Sequence, residues 1–354
     1  RIVHGAIFSF ITQHAESHYS ESLGSYRCGQ SVYTVADQVR KYFQQQRKQD
    51  RKQQLDLYIL RTDISRYANT VPLTINSPLW PLIDKLLIKI DSRQPASDYL
   101  KQLIAHTINP VTRCHQSGNV QQREQGVPYG TKMAGFIYNF YIHEIDHTLN
   151  QIPGAFYRRY CDDTLIIHSD HAVIDQAYQL FQTALSDFGL ALNTAKTERF
   201  YITLNGKPCQ IQPEFIHSNQ IDFLGFSIQA NGTLRLKKKH IRRFMKSLQQ
   251  RIKVAAYAAR DDDLETRAQI VCQAVRLAFS RNQMIKLPKY ISLIEFHDDR
   301  AQLKQLDQQI GLWVSQAVTG IPGKPSLRKV SHQQLINRWQ LPSLCHLRNK
   351  GAGH

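Results

Sequence analysis

The stretch Arg158-Arg159-Tyr160-Cys161-Asp162-Asp163-Thr164-Leu165-Ile166-Ile167 constrains this chain of 354 residues more than any other. Two adjacent carboxylates sit between an aromatic residue and an apolar run of β character. Neighbouring like charges raise each other's pKa, so the pair is costly unless a cation neutralises it. Successive strand residues point to opposite faces, yet at a tight hairpin both can be turned toward one site. A hard divalent cation that takes oxygen ligands, usually magnesium, suits such a pair. By itself an acidic pair is more often a solvated turn than a metal site. Its weight depends on company elsewhere in the chain.

Charge is the second constraint. Lys and Arg total 45 against 28 acids, a formal net charge of +17. The excess is segregated. No Asp or Glu occurs between Phe223 and Arg260, the window that holds Arg235, Lys237, Lys238, Lys239, Arg242, Arg243, Lys246, Arg251 and Lys253. None occurs from Gln308 onward, where Lys324, Arg328, Lys329 and Arg338 fall. A basic run is usually a solvated face. Two long acid-free ones beside an acidic pair read instead as a polyphosphate track. A membrane surface would attract the same charge, but no amphipathic helix with a broad exposed apolar face accompanies it. No apolar run approaches the ~20 residues that span a bilayer, and no secretory leader is visible. Cys28, Cys114, Cys161, Cys209, Cys272 and Cys345 show no C-x-x-C pair or metal spacing, which reads as reduced thiols in a cytoplasmic protein. Because the chain begins at Arg1 rather than Met, its true start is expected upstream.

The pattern along the chain predicts an α+β core followed by a basic helical domain, without repeats or a low-complexity linker. Val35 to about Gln54 reads as a long polar helix, and Leu57 to Asp63 as a strand ending on a carboxylate. Pro78 to Ile108 reads as helices broken at Pro81 and Pro95. Gly126 to Gly130 is a turn leading into one helix, Lys132 to Leu149. Phe156 to Ile167 is a pair of strands around the Asp pair. Ile174 to Phe188 is an amphipathic helix ended by Gly189. Ile221 to Ile228 and Thr233 to Leu236 flank Asn231-Gly232, a hairpin signal. Beyond His240 the pattern is helical to about Leu341, apart from Gly320 to Pro325.

Asp63 supplies a third carboxylate. Alone, a strand-end Asp is a common helix N-cap. With Asp162 and Asp163 it makes a set that can hold two Mg²⁺ ions about 4 Å apart, the arrangement used for in-line phosphoryl transfer.

At this point the order of motifs resembles the bacterial reverse transcriptases of the group II intron, retron and defence-associated lineage, over most of Arg1 to about Arg251. Ser25-Tyr26-Arg27-Cys28-Gly29-Gln30-Ser31 resembles the fingers motif SY-x-R-x-G-x-S, one spacer shorter. Asp63-Ile64-Ser65 resembles the first catalytic motif. Gly126-Val127-Pro128-Tyr129-Gly130 with Asn139 resembles G-x-P-Q-G…N. Tyr160-Cys161-Asp162-Asp163 resembles the Y-x-D-D box, and Gly189-Leu190-Ala191-Leu192-Asn193-Thr194-Ala195-Lys196-Thr197 resembles G-L-x-L-N-x-x-K-T. Phe223-Leu224-Gly225-Phe226 resembles the primer-grip hairpin. Any one is weak; six in order are strong.

The resemblance implies an α+β right-hand polymerase. Fingers would occupy 1–56, N-terminally incomplete, and the palm 57–239 with a fingers insertion at 77–125. A basic helical thumb would follow over 240–354. It implies an RNA-directed DNA polymerase with Asp63, Asp162, Asp163 and Lys196 catalytic, Lys196 being the acid that protonates pyrophosphate. Metal would be held at Asp63, Ile64, Asp162 and Asp163, as two Mg²⁺ ions with Mn²⁺ as an alternative. Tyr67, Ala68, Tyr129 and Gly130 would line the nucleotide pocket, and Phe223, Leu224 and Gly225 would grip the primer. Arg27, Lys237, Lys238, Lys239, Arg242, Arg243 and Lys246 would bind nucleic acid. The expected partners are an RNA template, a structured non-coding one, with a DNA product and deoxynucleoside triphosphates. A protein partner or homo-oligomer is left open, no membrane is expected, and antiphage defence is the expected setting, since no endonuclease or zinc module follows the thumb.

Departures from the pattern matter. The family's usual Phe or Tyr five residues after the first Asp is Ala68 here, with Tyr67 just before it. Either discrimination against ribonucleotides is weak, or Tyr67 does the same work. The usual pocket Gln is Tyr129 and the usual Ser is Ala134. These changes favour untemplated or narrowly templated synthesis as a rival reading. A maturase-like RNA-binding scaffold is a second rival, disfavoured by the intact Asp63, Asp162, Asp163 and Lys196, since buried charge is expensive. His143-Glu144-Ile145-Asp146-His147 matches a zinc motif but lacks a third ligand. Trp80, Trp313 and Trp339 can stack on bases, though helix packing is the commoner use.

Overall fold

A computed structural model describes residues 2–49, 56–90, 94–113, 118–128, 130–204, 212–279, 294 and 296–351. They divide into two compact units, Arg1–Asn219 and Gln220–His354. In the first, helices α1 (Ile2–Ala15) and α2 (Val32–Gln49) precede strand β1 (Asp56–Asp63) and the short α3 (Tyr67–Thr70). Helices α4 (Leu79–Ile90) and α5 (Gln94–Ile108) lead to the small ribbon β2 (Thr112–Arg113) and β3 (Val120–Gln121). Then come α6 (Lys132–Phe140), α7 (His143–Asn150), β4 (Phe156–Tyr160), β5 (Asp163–His168), α8 (His171–Asp187), β6 (Glu198–Thr203) and β7 (Ile216–His217).

The main sheet runs β4-β5-β1-β6-β7, with β1 central and antiparallel to both β5 and β6. A central strand is covered on both faces, which is why Leu57-Tyr58-Ile59-Leu60 is an unbroken apolar run and fully buried. Helix α8 packs on β1 and β5 through Ile174, Ala177, Phe181 and Leu185, an i, i+3, i+7, i+11 stripe. Asp170 caps its start, accepting from the Ala172 N–H at 2.9 Å. Gly189 ends it at φ +68°, and the Leu190 N–H returns to the Leu185 carbonyl at 2.8 Å.

Two expectations are corrected here. Pro81 does not break a helix: it is the third residue of α4, in the first turn, where the missing N–H has no intrahelical partner. The boundary expected at Pro95 does occur: α4 ends at Ile90 and Pro95 is the second residue of α5. The expected single helix Lys132 to Leu149 is two helices, interrupted at Ile142 (φ −120°, ψ 21°). Tyr141 and Ile142 are both fully buried, so core packing sets this break with no Gly or Pro to announce it.

In the second unit β8 (Gln220–Phe223), β9 (Phe226–Gln229) and β10 (Leu234–Leu236) form a meander. The expected strand Ile221 to Ile228 therefore reverses midway, at Leu224-Gly225, both at positive φ (+48° and +89°). That is the twist a two-residue hairpin needs. The Asn231-Gly232 turn forms as expected, with the Gly232 N–H on the Gln229 carbonyl at 2.8 Å. Helices α9 (Lys238–Ala258), α10 (Leu264–Ala278), α11 (Arg300–Thr319), α12 (Ser326–Lys329), α13 (His332–Asn337) and α14 (Leu344–Gly351) complete the unit. Among the described residues no helix is long and apolar enough to cross a membrane.

Phe181 is fully buried beneath the sheet. Phe181→Ala should lower unfolding free energy by about 3–5 kcal/mol through lost burial and the cavity left behind, read as a shifted urea midpoint at unchanged m.

Candidate active site

Antiparallel pairing sets Asp63, the last residue of β1, opposite Asp163, the first of β5. Directly opposed residues share a face, so both carboxyls leave the sheet on one side at its end. Asp162 occupies the β4–β5 turn, and its carbonyl accepts from the Ile64 N–H at 3.1 Å. Cys161, before it, takes φ +56°, a conformation rare for a residue with a side chain. The Gly189 to Thr197 segment closes the other side. The Asn193 N–H donates to the Asp63 carbonyl at 2.8 Å, and Lys196 Nζ donates to both carboxylate oxygens of Asp63 at 2.9 Å.

Asp63 is buried, while the Lys196 side chain is 61% exposed. Hydrogen bonding to Asp63, with the charges of Asp63, Asp162 and Asp163, holds the Lys196 ammonium above its ordinary range. Desolvation, then the neighbouring carboxylates, push Asp162 and Asp163 up from theirs. Three carboxylates and one lysine are thus electrostatically one group.

The residues fit hard divalent cations. All the donors are oxygens, and the mutual repulsion that raises Asp162 and Asp163 is what bound positive charge relieves. As placed, no group of three or more His, Cys, Asp or Glu among the described residues is arranged to hold a metal ion, and Lys196 supplies the positive charge facing Asp63. Ile64, fully buried in side chain, has only its backbone carbonyl to offer.

The residues that set this geometry were not predicted. Arg159 is wholly buried, and its guanidinium donates to Asp146 through Nε (2.7 Å) and Nη2 (2.5 Å), and to the Cys161 carbonyl (2.9 Å). Burial pushes this guanidinium down, and the charge and hydrogen bonds of Asp146 more than reverse it, so the net direction is up. Tyr157 Oη also donates to Asp146, at 2.7 Å. From the other side Ser25 Oγ accepts from the Cys161 N–H at 3.0 Å and donates to Asn139 Oδ1 at 2.7 Å. The sequence signal for Ser25 was its place in the fingers motif Ser25 to Ser31, which does not reveal its partner on the Asp162 turn. The H-E-x-x-H segment contributes through its inner Asp146, while His143 Nδ1 and His147 Nε2 lie against the carbonyls of Phe140 and His18.

Of the expected pocket residues, Tyr67 is in the core, its hydroxyl donating to the Tyr138 carbonyl at 2.8 Å. It is not free to stand in for an aromatic wall. Ala68 is partly exposed, its carbonyl bound by the Val127 N–H at 2.9 Å, beside the Gly126 to Gly130 turn. Gly130 is exposed at φ +79°, and Tyr129 lies outside the described residues. Ala134 is buried in α6.

Arg27, expected to bind nucleic acid, donates here to Glu16 and to the Ser20 and Leu23 carbonyls, and so braces this part of the fold. In the second unit Phe223 is buried, and the Lys237 N–H binds the Gly225 carbonyl at 3.2 Å, tying the hairpin tip to the start of α9. Lys237 also pairs with Asp222 at 3.5 Å. Lys238, Lys239, Arg242, Arg243 and Lys246 are exposed on α9, opposite its buried Phe244, Met245, Leu248 and Ile252.

The model of the family described as reverse transcriptase (RNA-dependent DNA polymerase) matches residues 6–228. The chain belongs to the reverse transcriptase family. The match takes in every carboxylate of the site and Lys196. Reverse transcriptase domains generally use divalent metal ions, in keeping with the donor set. No curated protein gives a significant match. Among solved structures, apo telomerase from Candida tropicalis, truncated from its C-terminal domain, aligns at TM-score 0.50 and 14% identity over 66% of this chain. Telomerase from Candida albicans in complex with a TWJ fragment of telomeric RNA gives TM-score 0.49 and 13% identity over 99% of this chain. This reverse transcriptase spans 45% and 58% of those two chains. The expected fold class, an α+β right-hand polymerase with a helical C-terminal part, holds.

Two outcomes follow from this arrangement. Arg159→Ala strips Asp146 of its partner and should cost about 3–5 kcal/mol in denaturant unfolding. Asp163→Asn should raise the melting temperature of metal-free protein at neutral pH. A folded pKa above the unfolded one means that the wild type loses stability as pH rises through the folded value. The difference should therefore vanish below the ordinary carboxylate range, in thermal scans with EDTA.

Proposed function

We propose that this reverse transcriptase is an RNA-directed DNA polymerase that extends a 3′-OH by two-metal nucleotidyl transfer, using Mg²⁺, with Mn²⁺ able to substitute. The observation that carries this is the meeting of Asp63, Asp162 and Asp163 at one end of β1 and β5 with the ammonium of Lys196 beside them. Asp63, Asp162, Asp163 and the Ile64 carbonyl would hold the ions. When bound, such ions lower the pKa of an attacking hydroxyl and offset charge on the leaving pyrophosphate. The rest falls to the chain. The Ser25 and Arg159 bonds fix the turn that carries Asp162. Lys196 keeps its proton at neutral pH, because its carboxylate neighbours favour the charged form, and gives it to pyrophosphate after releasing Asp63.

The exposed basic face of α9 suits nucleic-acid phosphates, which attract without sequence readout. The substrates in this reading are an RNA template, deoxynucleoside triphosphates and a DNA product. The template is a dedicated structured RNA, and the setting is cytoplasmic antiphage defence; sequencing the RNA that co-purifies tests this part.

The decisive assay is incorporation of each dNTP and rNTP by purified protein on a primed heteropolymeric RNA. Product should match the template and be lost in Asp162→Asn. Template-independent homopolymer would sink the copying reading, and incorporation that survives in Asp162→Asn would sink the assigned site. Lys196→Ala should lower kcat by about 10²–10⁴-fold.

One observation favours a finer point. With Tyr67 in the core, only the methyl of Ala68 stands at the wall position, so ribonucleotides should be poorly excluded. Ala68→Phe should raise the deoxy-over-ribo ratio of kcat/KM by about tenfold or more. An unchanged ratio would show that the wall lies elsewhere.

A further inference from the structure

Three tryptophans can stack on bases, and the structure separates them. Trp80 Nε1 donates to the Thr74 carbonyl at 2.8 Å, and buried Trp339 donates to Glu265 Oε1 at 2.8 Å. Both belong to the packing. Trp313 does not: half-buried on α11, it lines an open groove of about 360 Å³ against α9, with Gln249, Lys253, Gln316, Ile321 and Pro322.

The chemistry of this groove is specific. It has an aromatic and apolar wall, two side-chain amides that can each donate and accept, one exposed ammonium and no carboxylate. The sequence that follows it, through Lys324, Arg328 and Lys329, is also free of acids. Arg242, Lys246, Gln249 and Lys253 succeed one another at helical spacings of 4, 3 and 4 residues along one side of α9, so a basic stripe runs into the groove. The volume falls in the range of small-ligand sites.

We propose that the groove takes one unpaired nucleotide of an RNA strand, its base stacked on Trp313 and its phosphate at Lys253. Amide edges at Gln249 and Gln316 meet the base edge. A paired base is already stacked and cannot enter, so the groove distinguishes single-stranded from duplex RNA. RNA is the strand in question because the DNA product leaves the polymerase site paired to its template, whereas the template has unpaired stretches. This inference rests on the reading of the chain as an RNA-copying polymerase.

The test measures affinity of the full chain for a fluorescein-labelled single-stranded RNA of mixed sequence, its DNA counterpart, and the RNA annealed to its complement. Trp313→Ala should weaken the single-stranded RNA about tenfold, as expected for one stacked base, and leave the duplex within about twofold. Trp313→Phe should retain most of the affinity, and Lys253→Ala should lower the salt slope by about one. Ultraviolet crosslinks from the single strand should map to the tryptic peptide that contains Trp313. Equal loss for single strand and duplex, or crosslinks only elsewhere, would overturn the assignment. Primer extension by the same wild-type protein keeps the two readings apart. Normal extension with Trp313-independent binding refutes the groove alone. Absent extension with Trp313-dependent RNA binding refutes the polymerase reading and leaves the groove.

Discussion

The catalytic turn depends on a buried ion pair, Arg159 with Asp146. Taking both charges from water costs several kcal/mol each, which is recovered only if every polar atom finds a partner. Here nearly all do. Arg159 reaches Asp146, the Tyr138, Asn139 and Cys161 carbonyls, while Tyr157 takes a further bond to Asp146. The same pair helps satisfy the helix ends at the break between α6 and α7. Ending α6 at Phe140 orphans carbonyls of its last turn, and Arg159 Nη1 and Tyr67 Oη supply donors to Tyr138 at 3.2 and 2.8 Å. Asp146 meanwhile sits in the first turn of α7, where the helix dipole favours a negative charge. One cation ends one helix, one anion starts the next, and their bond fixes the strand that enters the Asp162 turn.

From this frame the acidic centre follows as a cost the fold carries locally. Asp63, Asp162 and Asp163 are brought together by strand register, not by attraction, and desolvation with mutual repulsion raises two of them. Lys196 offsets part of this from a solvent-facing position, on a long stem that can move. In the proposed reaction this exposed position also leaves Lys196 able to give up its proton. Tyr67 is the converse case: its hydroxyl is committed to the Tyr138 carbonyl of α6, while the neighbouring Ala68 is only partly buried.

The motifs Asp63-Ile64-Ser65, Tyr160-Cys161-Asp162-Asp163 and Gly189 to Thr197 were legible because each requires fixed residue types at fixed spacing, and the structure brings all three together. The α8 stripe, its Asp170 cap and its Gly189 stop were legible for the same local reason. What was illegible is tertiary. Ile142 leaves the helix with no breaker in sight, and Pro81 is harmless only because α4 starts two residues earlier. Asp146 looked like filler inside a zinc-like motif; its partner is 13 residues away in sequence and on another element.

Charge segregation in this chain has a physical logic beyond tight binding. A cluster of three carboxylates would repel the triphosphate and nucleic-acid backbone of the proposed reaction, and repulsion of that kind is long-ranged at low salt. Adding lysines inside the cluster would quench the carboxylates that, in the proposed reaction, hold cations. Placing the basic residues on a separate acid-free helix lets attraction and chemistry coexist, each group keeping its own charge state. Lys238, Lys239, Arg242, Arg243 and Lys246 pair with no carboxylate among the described residues, so their full charge remains available to phosphates. Lys196 lies between the two regimes. Its ammonium bonds Asp63 from the exposed edge of the cluster, while Arg61 adds positive charge near Asp163.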